Sequence, residues 1–93
     1  MKGSAAVARC FGKNLRRARR RADLSQEQLG VAAGLHRTEI GLLERGARVP
    51  RIDTLVKVAS ALEVAPVELV AGIEWTAGTT DAGGFTISSP SVE

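Results

Sequence analysis

LSQEQLGVAAGLHRTEIGLLERG, residues 24–46, reads as two short helices joined by a tight turn. Ser25 is a good N-cap, because its hydroxyl oxygen can accept a backbone N–H two or three residues on. Gln28, three residues later, completes a capping-box pattern, and the apolar run starts at Leu29. Gly34 follows Ala33 where a glycine in the left-handed conformation would end the first helix. Leu35 plugs the turn. A second helix is expected from about His36 to Arg45, with Gly46 as its stop, and Ile40 and Leu43 share one of its faces. Gly30 lies mid-helix, where it costs roughly 1 kcal/mol against alanine. That cost has a use if the second helix crosses there. Gly30, Gly34 and Ile40 together meet the geometric needs of a helix-turn-helix. The alternative is an ordinary αα-hairpin in a helical bundle.

The flanks decide between the two. Leu15 and Arg19, then residues 24–29, Gly34-Leu35, Ile40, Leu43-Glu44-Arg45-Gly46, Pro50, Leu55, Ala59, Leu62 and Val64 carry a pattern that resembles the Xre/Cro-type helix-turn-helix regulators of the phage-repressor kind. The match runs from about Phe11 to Leu69. It departs from the usual pattern at Gly30, where alanine is usual, at Gly41 inside the recognition helix, and at Leu42, where a polar residue is usual. The resemblance implies an all-α fold, a compact five-helix bundle of the lambda-repressor-like kind. It also implies an internal ion pair between Arg19 and Glu44, tying the first helix to the recognition helix. The alternative for that pair is two independent solvated charges.

The rest of the chain agrees with such a bundle. Val7, Phe11, Leu15, Ala18 and Ala22 recur at helical spacing over about Ala6 to Ala22, after a start at Met1 to Ala5 read as frayed. Ile52, Leu55, Ala59 and Leu62 form one face of a fourth helix. Pro66 opens a short fifth, from which Val67, Leu69 and Val70 would close the core. From Gly72 the composition turns to Gly, Thr and Ser. Ile73-Glu74-Trp75-Thr76 and Phe85-Thr86-Ile87-Ser88 alternate apolar with polar around a turn-rich stretch, so the tail is either a β-hairpin or disordered. The expected division is therefore a helix-turn-helix domain over 6–71 and a tail over 72–93, with Trp75, Phe85 and Ile87 as candidate dimer contacts.

Ninety-three residues make one small domain with a thin core, which would gain from oligomerisation. The net charge of +3 hides an asymmetry: all thirteen Lys and Arg lie between Lys2 and Lys57 against five acids, and from Val58 onward there are five acids and no base. A basic block of this kind points to a polyanion partner. Seven basic residues from Arg9 to Arg21 with no acid among them favour a phosphate-facing surface over a merely solvated one. A membrane surface is the rival polyanion, but no apolar run is long enough for a transmembrane span, and no signal peptide is visible. Cys10 is alone, which fits a reducing cytoplasm; it reads as an unreactive helix residue sooner than as a redox sensor. No Cys/His set has metal-ligand spacing, no phosphate-binding glycine loop occurs, and no cofactor is expected, so the chain does not read as an enzyme.

The reading is a sequence-specific DNA-binding transcriptional regulator, a cytoplasmic repressor that binds a palindromic operator as a homodimer. The alternative is an antitoxin or controller subunit that binds a partner protein and autoregulates through DNA. In a helix-turn-helix the first turn of the second helix faces base edges. Here it offers His36, Arg37, Thr38 and Glu39, with Leu42 one turn on. Arg37 is the strongest reader, since a guanidinium bridges O6 and N7 of guanine; the other role open to it is holding a phosphate. His36 could be a ligand or a pH switch, but a polar residue at a helix start commonly faces solvent or DNA. Expected phosphate contacts are Gln26 at a helix N-terminus, Arg48 and Arg51 after the recognition helix, and Arg16 and Arg20 on the first helix.

Overall fold

The computed structural model describes residues 2–78 and 83–88. Five helices follow in order: α1 Lys2–Arg21, α2 Gln26–Ala33, α3 Arg37–Glu44, α4 Ile52–Leu62 and α5 Pro66–Leu69. Two strands, β1 Ile73–Thr76 and β2 Gly84–Ile87, close the described chain as an antiparallel hairpin. Ile73 pairs with Ile87 and Trp75 with Phe85. The tail is thus the hairpin of the two readings; Thr79 to Ala82, within its expected turn, and the chain beyond Ser88 lie outside the described residues.

The core is aliphatic around one aromatic ring. Phe11 and Leu15 from α1, Leu29 and Ala33 from α2, Ile40 and Leu43 from α3, Val58, Ala59 and Leu62 from α4, and Leu69 from α5 form one cluster. The structure departs from the sequence pattern at several residues. α1 is helical from Lys2, so the start expected to fray is helix from its second residue. Asp23, at φ 61°, sits in the left-handed region just after α1. Ala22 falls beyond the helix and is exposed, and Ala8 joins the buried face instead. On α4, Ile52 is exposed and Val58 is buried in its place, because Ile52 is the first helical residue and projects before the helix reaches the core. On α5, Val67 points to solvent, and Leu69, with half-buried Val70, closes the core.

Two residues of α1 set how the helices meet. A Cβ on Gly12 would lie 2.5 Å from the carbonyl oxygen of Leu43 and 2.7 Å from that of Glu44, so α1 and the end of α3 touch backbone to backbone there. Asn14 is buried and donates from Nδ2 to the carbonyls of Leu69 and Ala71, both at 3.0 Å. One amide thereby satisfies two carbonyls at the exit of α5 and joins that exit to α1. The hairpin then packs along α1.

Candidate nucleic-acid interface

The α2–turn–α3 unit is fixed by local chemistry. The Ser25 hydroxyl accepts the N–H of Gln28 at 3.0 Å, and the Gln28 side chain accepts the N–H of Ser25 at 2.8 Å, closing the capping box. Gly34 adopts φ 71°, and the Leu35 N–H returns to the Gly30 carbonyl at 2.8 Å. A Cβ at Gly30 would stand 2.6 Å from the Leu35 carbonyl oxygen. The missing side chain there makes room for the turn's backbone and for the start of the second helix, since the backbone N of Arg37, the first residue of α3, lies 3.3 Å from the same point. His36 precedes α3 as its N-cap: Nδ1 accepts the N–H of Thr38 at 3.0 Å. One face of its imidazole is therefore committed to the backbone, and only Nε2 is left to look outward.

α3 is amphipathic in the sense the site requires. Ile40 and Leu43 are buried, and at 100° per residue Thr38, Leu42 and Arg45 lie on the opposite side. Thr38 and Arg37 are exposed, whereas Leu42 and Glu39 are half-buried. Three of the expected basic contacts have acidic neighbours: Arg37 lies 3.8 Å from Glu27, Arg48 3.3 Å from Glu39, and Arg51 3.3 Å from Asp53. Arg51 is the N-cap residue of α4 and makes no side-chain cap bond.

Behind α3 lies a charged knot. Arg19 forks onto Glu44, with Nε to Oε2 and Nη2 to Oε1 at 3.0 Å, while Nη1 donates to the Leu24 carbonyl at 2.8 Å. The two side chains keep 11% and 3% of their surface. The hydrogen bond to Glu44 raises the Arg19 pKa above its ordinary value against the opposing effect of burial, with the carboxylate's charge adding to the rise. Gln26 joins the knot, donating from Nε2 to Glu44 Oε1 at 3.1 Å. Its amide, expected to face a phosphate, is thus partly engaged inside the protein, and α1, α2 and α3 are tied at one carboxylate.

On α1, Arg16 and Arg20 stand exposed with Lys13 and Arg9, while Arg17 leans back to donate to Asn14 Oδ1 at 3.4 Å. The basic ridge is therefore real surface, though it belongs to a different helix from the α3 face. Trp75, Phe85 and Ile87 lie on the hairpin, with the two aromatic rings edge to face at 5.1 Å between centroids.

A capped helix, a glycine turn and a second helix with one buried and one outward face, locked to α1 by an Arg–Glu fork, match known proteins. The helix-turn-helix family profile covers residues 15–69. The chain belongs to the helix-turn-helix family. It is 40% identical over 64 residues to an HTH-type transcriptional regulator, y4dJ, of Sinorhizobium fredii, across 69% of this chain and 83% of that one. The crystal structure of the restriction-modification controller protein C.AhdI from Aeromonas hydrophila superposes with a TM-score of 0.67 and 41% identity, over 69% of this chain and 97% of that one. The P22 c2 repressor, solved in complex with a synthetic operator, superposes with a TM-score of 0.62 and 27% identity, over 67% of this chain and 94% of its own. This helix-turn-helix protein is a DNA-binding transcriptional regulator. Its hairpin lies beyond the residues that the family profile covers. Among the described residues no helix is long and apolar enough to cross a membrane, and no three His, Cys, Asp or Glu gather as a metal site.

Three residues of the arrangement escaped the sequence reading. Gly12 and Asn14 act through partners at least 31 positions away. Arg45 was legible in principle, since it stands seven residues after Thr38 and so on the same helical face.

Proposed function

We propose that the chain represses transcription by binding a palindromic operator as a homodimer, with α3 in the major groove of each half-site. The outward face of α3 carries this reading: Arg37, Thr38 and Leu42 project from a helix whose other side is locked by Ile40, Leu43 and the Arg19–Glu44–Gln26 knot. A rigid helix presenting a donor fork, a hydroxyl and a methyl-bearing side chain suits base edges. Arg37 reads guanine, Thr38 and Leu42 meet a neighbouring pair, and His36 and Glu39 border the contact. Gln26, Arg48, Arg51, Arg16 and Arg20 hold phosphates. Arg48 and Arg51 exchange exposed ion pairs for phosphate oxygens at little cost, because such pairs contribute little net energy in water. In this division of labour residues 6–71 bind DNA and 72–93 support association. A cytoplasmic location accompanies the role, and no catalytic step or cofactor is part of it.

Selection of bound sites from a random duplex library, with sedimentation of the complex, tests the reading. The expected product is a two-fold symmetric site with half-sites one helical turn or a multiple apart, bound by two protomers. A selected pool without sequence enrichment would overturn it.

The likeness to the restriction-modification controller protein C.AhdI favours one part of the alternative, a controller role. A second protein chain that co-purifies in fixed ratio would shift the assignment to an antitoxin-like subunit.

A further inference from the structure

Arg45 stands apart from the other arginines near α3. Arg37, Arg48 and Arg51 each lie within 4 Å of a carboxylate, and Arg19 is consumed by Glu44. Arg45 makes no ion pair and no side-chain hydrogen bond among the described residues, and it is exposed. Its guanidinium nonetheless has a defined seat. The point that a Cβ on Gly41 would occupy lies 3.2 Å from Arg45 Nη1, 3.6 Å from Gln26 Oε1 and 3.9 Å from Gln26 Nε2. The Arg45 side chain thus folds back one turn over Gly41, along the edge of α3 that faces the first residue of α2. In effect it supplies the side chain that residue 41 lacks. Gly41 also reads differently in this light: a glycine that weakens a short helix is the one residue that leaves this seat open.

We propose that Arg45 is a DNA-contacting residue that holds a backbone phosphate, and that Gly41 is its positioning residue. This rests on the reading that α3 binds DNA, and it adds a contact that the sequence pattern did not name. A phosphate is favoured over a base edge because, although residue 45 shares the outward face with Thr38, its side chain folds back toward Gln26 and the start of α2, at the flank of α3. An unpaired guanidinium binds a phosphate without first breaking an internal ion pair.

The test is a quantitative binding series on the selected operator and on a scrambled duplex, across salt concentration. Arg45→Ala is expected to weaken both duplexes by the same factor and to lower the salt slope by about one per protomer. Arg45→Lys, which keeps the charge, is expected to restore much of the slope. Gly41→Ala is expected to weaken binding in the wild-type background and to add nothing in the Arg45→Ala background, because the two changes act on one contact. Unaltered melting of Arg45→Ala would confirm that the fold is intact. Unchanged affinity and slope for Arg45→Ala would overturn the proposal, and so would an altered operator-to-scrambled ratio, which would make Arg45 a base reader. Arg37→Ala, run in parallel, separates this from failure of the underlying reading: if Arg37→Ala changes the ratio while Arg45→Ala changes nothing, α3 binds DNA without Arg45. If the wild-type protein does not discriminate the two duplexes at all, the larger reading falls.

Discussion

Removing the Arg19 guanidinium would leave the Glu44 carboxylate, only 3% exposed, with the Gln26 amide as its sole side-chain partner among the described residues. Breaking a buried pair on one side costs about 3 kcal/mol or more, because the remaining charge is stranded. In a domain of this size that is a fall in melting temperature of about 12 °C or more. Arg20→Ala, one position on and exposed, should melt close to wild type, and equal melting of the two variants would show that the knot carries no stability. Arg37 poses the opposite problem. Its neighbour Glu27 is 3.8 Å away and both side chains are largely exposed, so solvent screens the pair and the guanidinium is free to leave it. As a base reader, Arg37→Ala should cost roughly 1–3 kcal/mol on the best site and relax preference at one base pair per half-site. A variant that keeps the wild-type ratio between operator and scrambled duplex would remove Arg37 from the readout.

At the scale of helices, glycine separates what was legible from what was not. Gly34 and the Ser25–Gln28 capping box announce themselves in sequence because both partners of each interaction lie within five residues. The boundaries of α2 and the turn into α3 follow from them. Gly12 carries no such signal: it looks like a poor helix residue until α3 is seen 2.5 Å from where its Cβ would be. Asn14 is equally silent, since its two carbonyl partners come from α5 and the residues after it. The same limit explains the α4 face. The spacing of Ile52, Leu55, Ala59 and Leu62 is helical, but only the packing of α4 against α2 decides that the buried stripe runs through Val58. On the interface, the residues of the first turn of α3 could be named from the motif. That His36 bonds back to Thr38, and that Gln26 turns to Glu44, depends on rotamers that spacing does not encode. A contrast between glycines checks this account. Gly12→Ala should destabilise the fold severely, because two backbone carbonyls cannot yield to a Cβ. Gly41→Ala should leave the melting temperature unchanged or higher, since its nearest neighbour is the far end of a flexible arginine side chain, which can shift aside, and alanine favours helix. If Gly12→Ala melts like wild type, α1 and α3 are not in backbone contact.

Across the whole molecule, charge and apolar surface are divided between two ends of the chain. The cations lie in residues 2–57, and the hairpin carries Glu74 and no base, so it is unsuited to a polyanion. DNA binding should therefore weaken steeply with salt through the helical part alone, and deletion of the hairpin should leave the salt slope intact. The hairpin's cross-strand pairs put Ile73, Trp75, Phe85 and Ile87 on one face, and Trp75, Phe85 and Ile87 remain 57%, 38% and 42% exposed. A two-stranded ribbon is marginal on its own and gains stability from packing on its apolar face. α1 covers part of this one. What remains open falls short of the roughly 800 Å² per partner of a standard interface, so the ribbon would supply only a share of a dimer contact. Exposed Ile52 and Val56, four apart on α4, offer further apolar surface for the remainder. Truncation after Gly72 is thus expected to weaken self-association without abolishing it, and to lower the melting temperature by uncovering α1 around Cys10. Sedimentation across a concentration series and a melting curve read the two effects separately. Trp75→Ala, which leaves the chain length intact, should weaken the dimer more than it lowers the melting temperature. If truncated and full-length chains sediment and melt alike, the hairpin takes no part in either, and association, where it occurs, belongs to the helices.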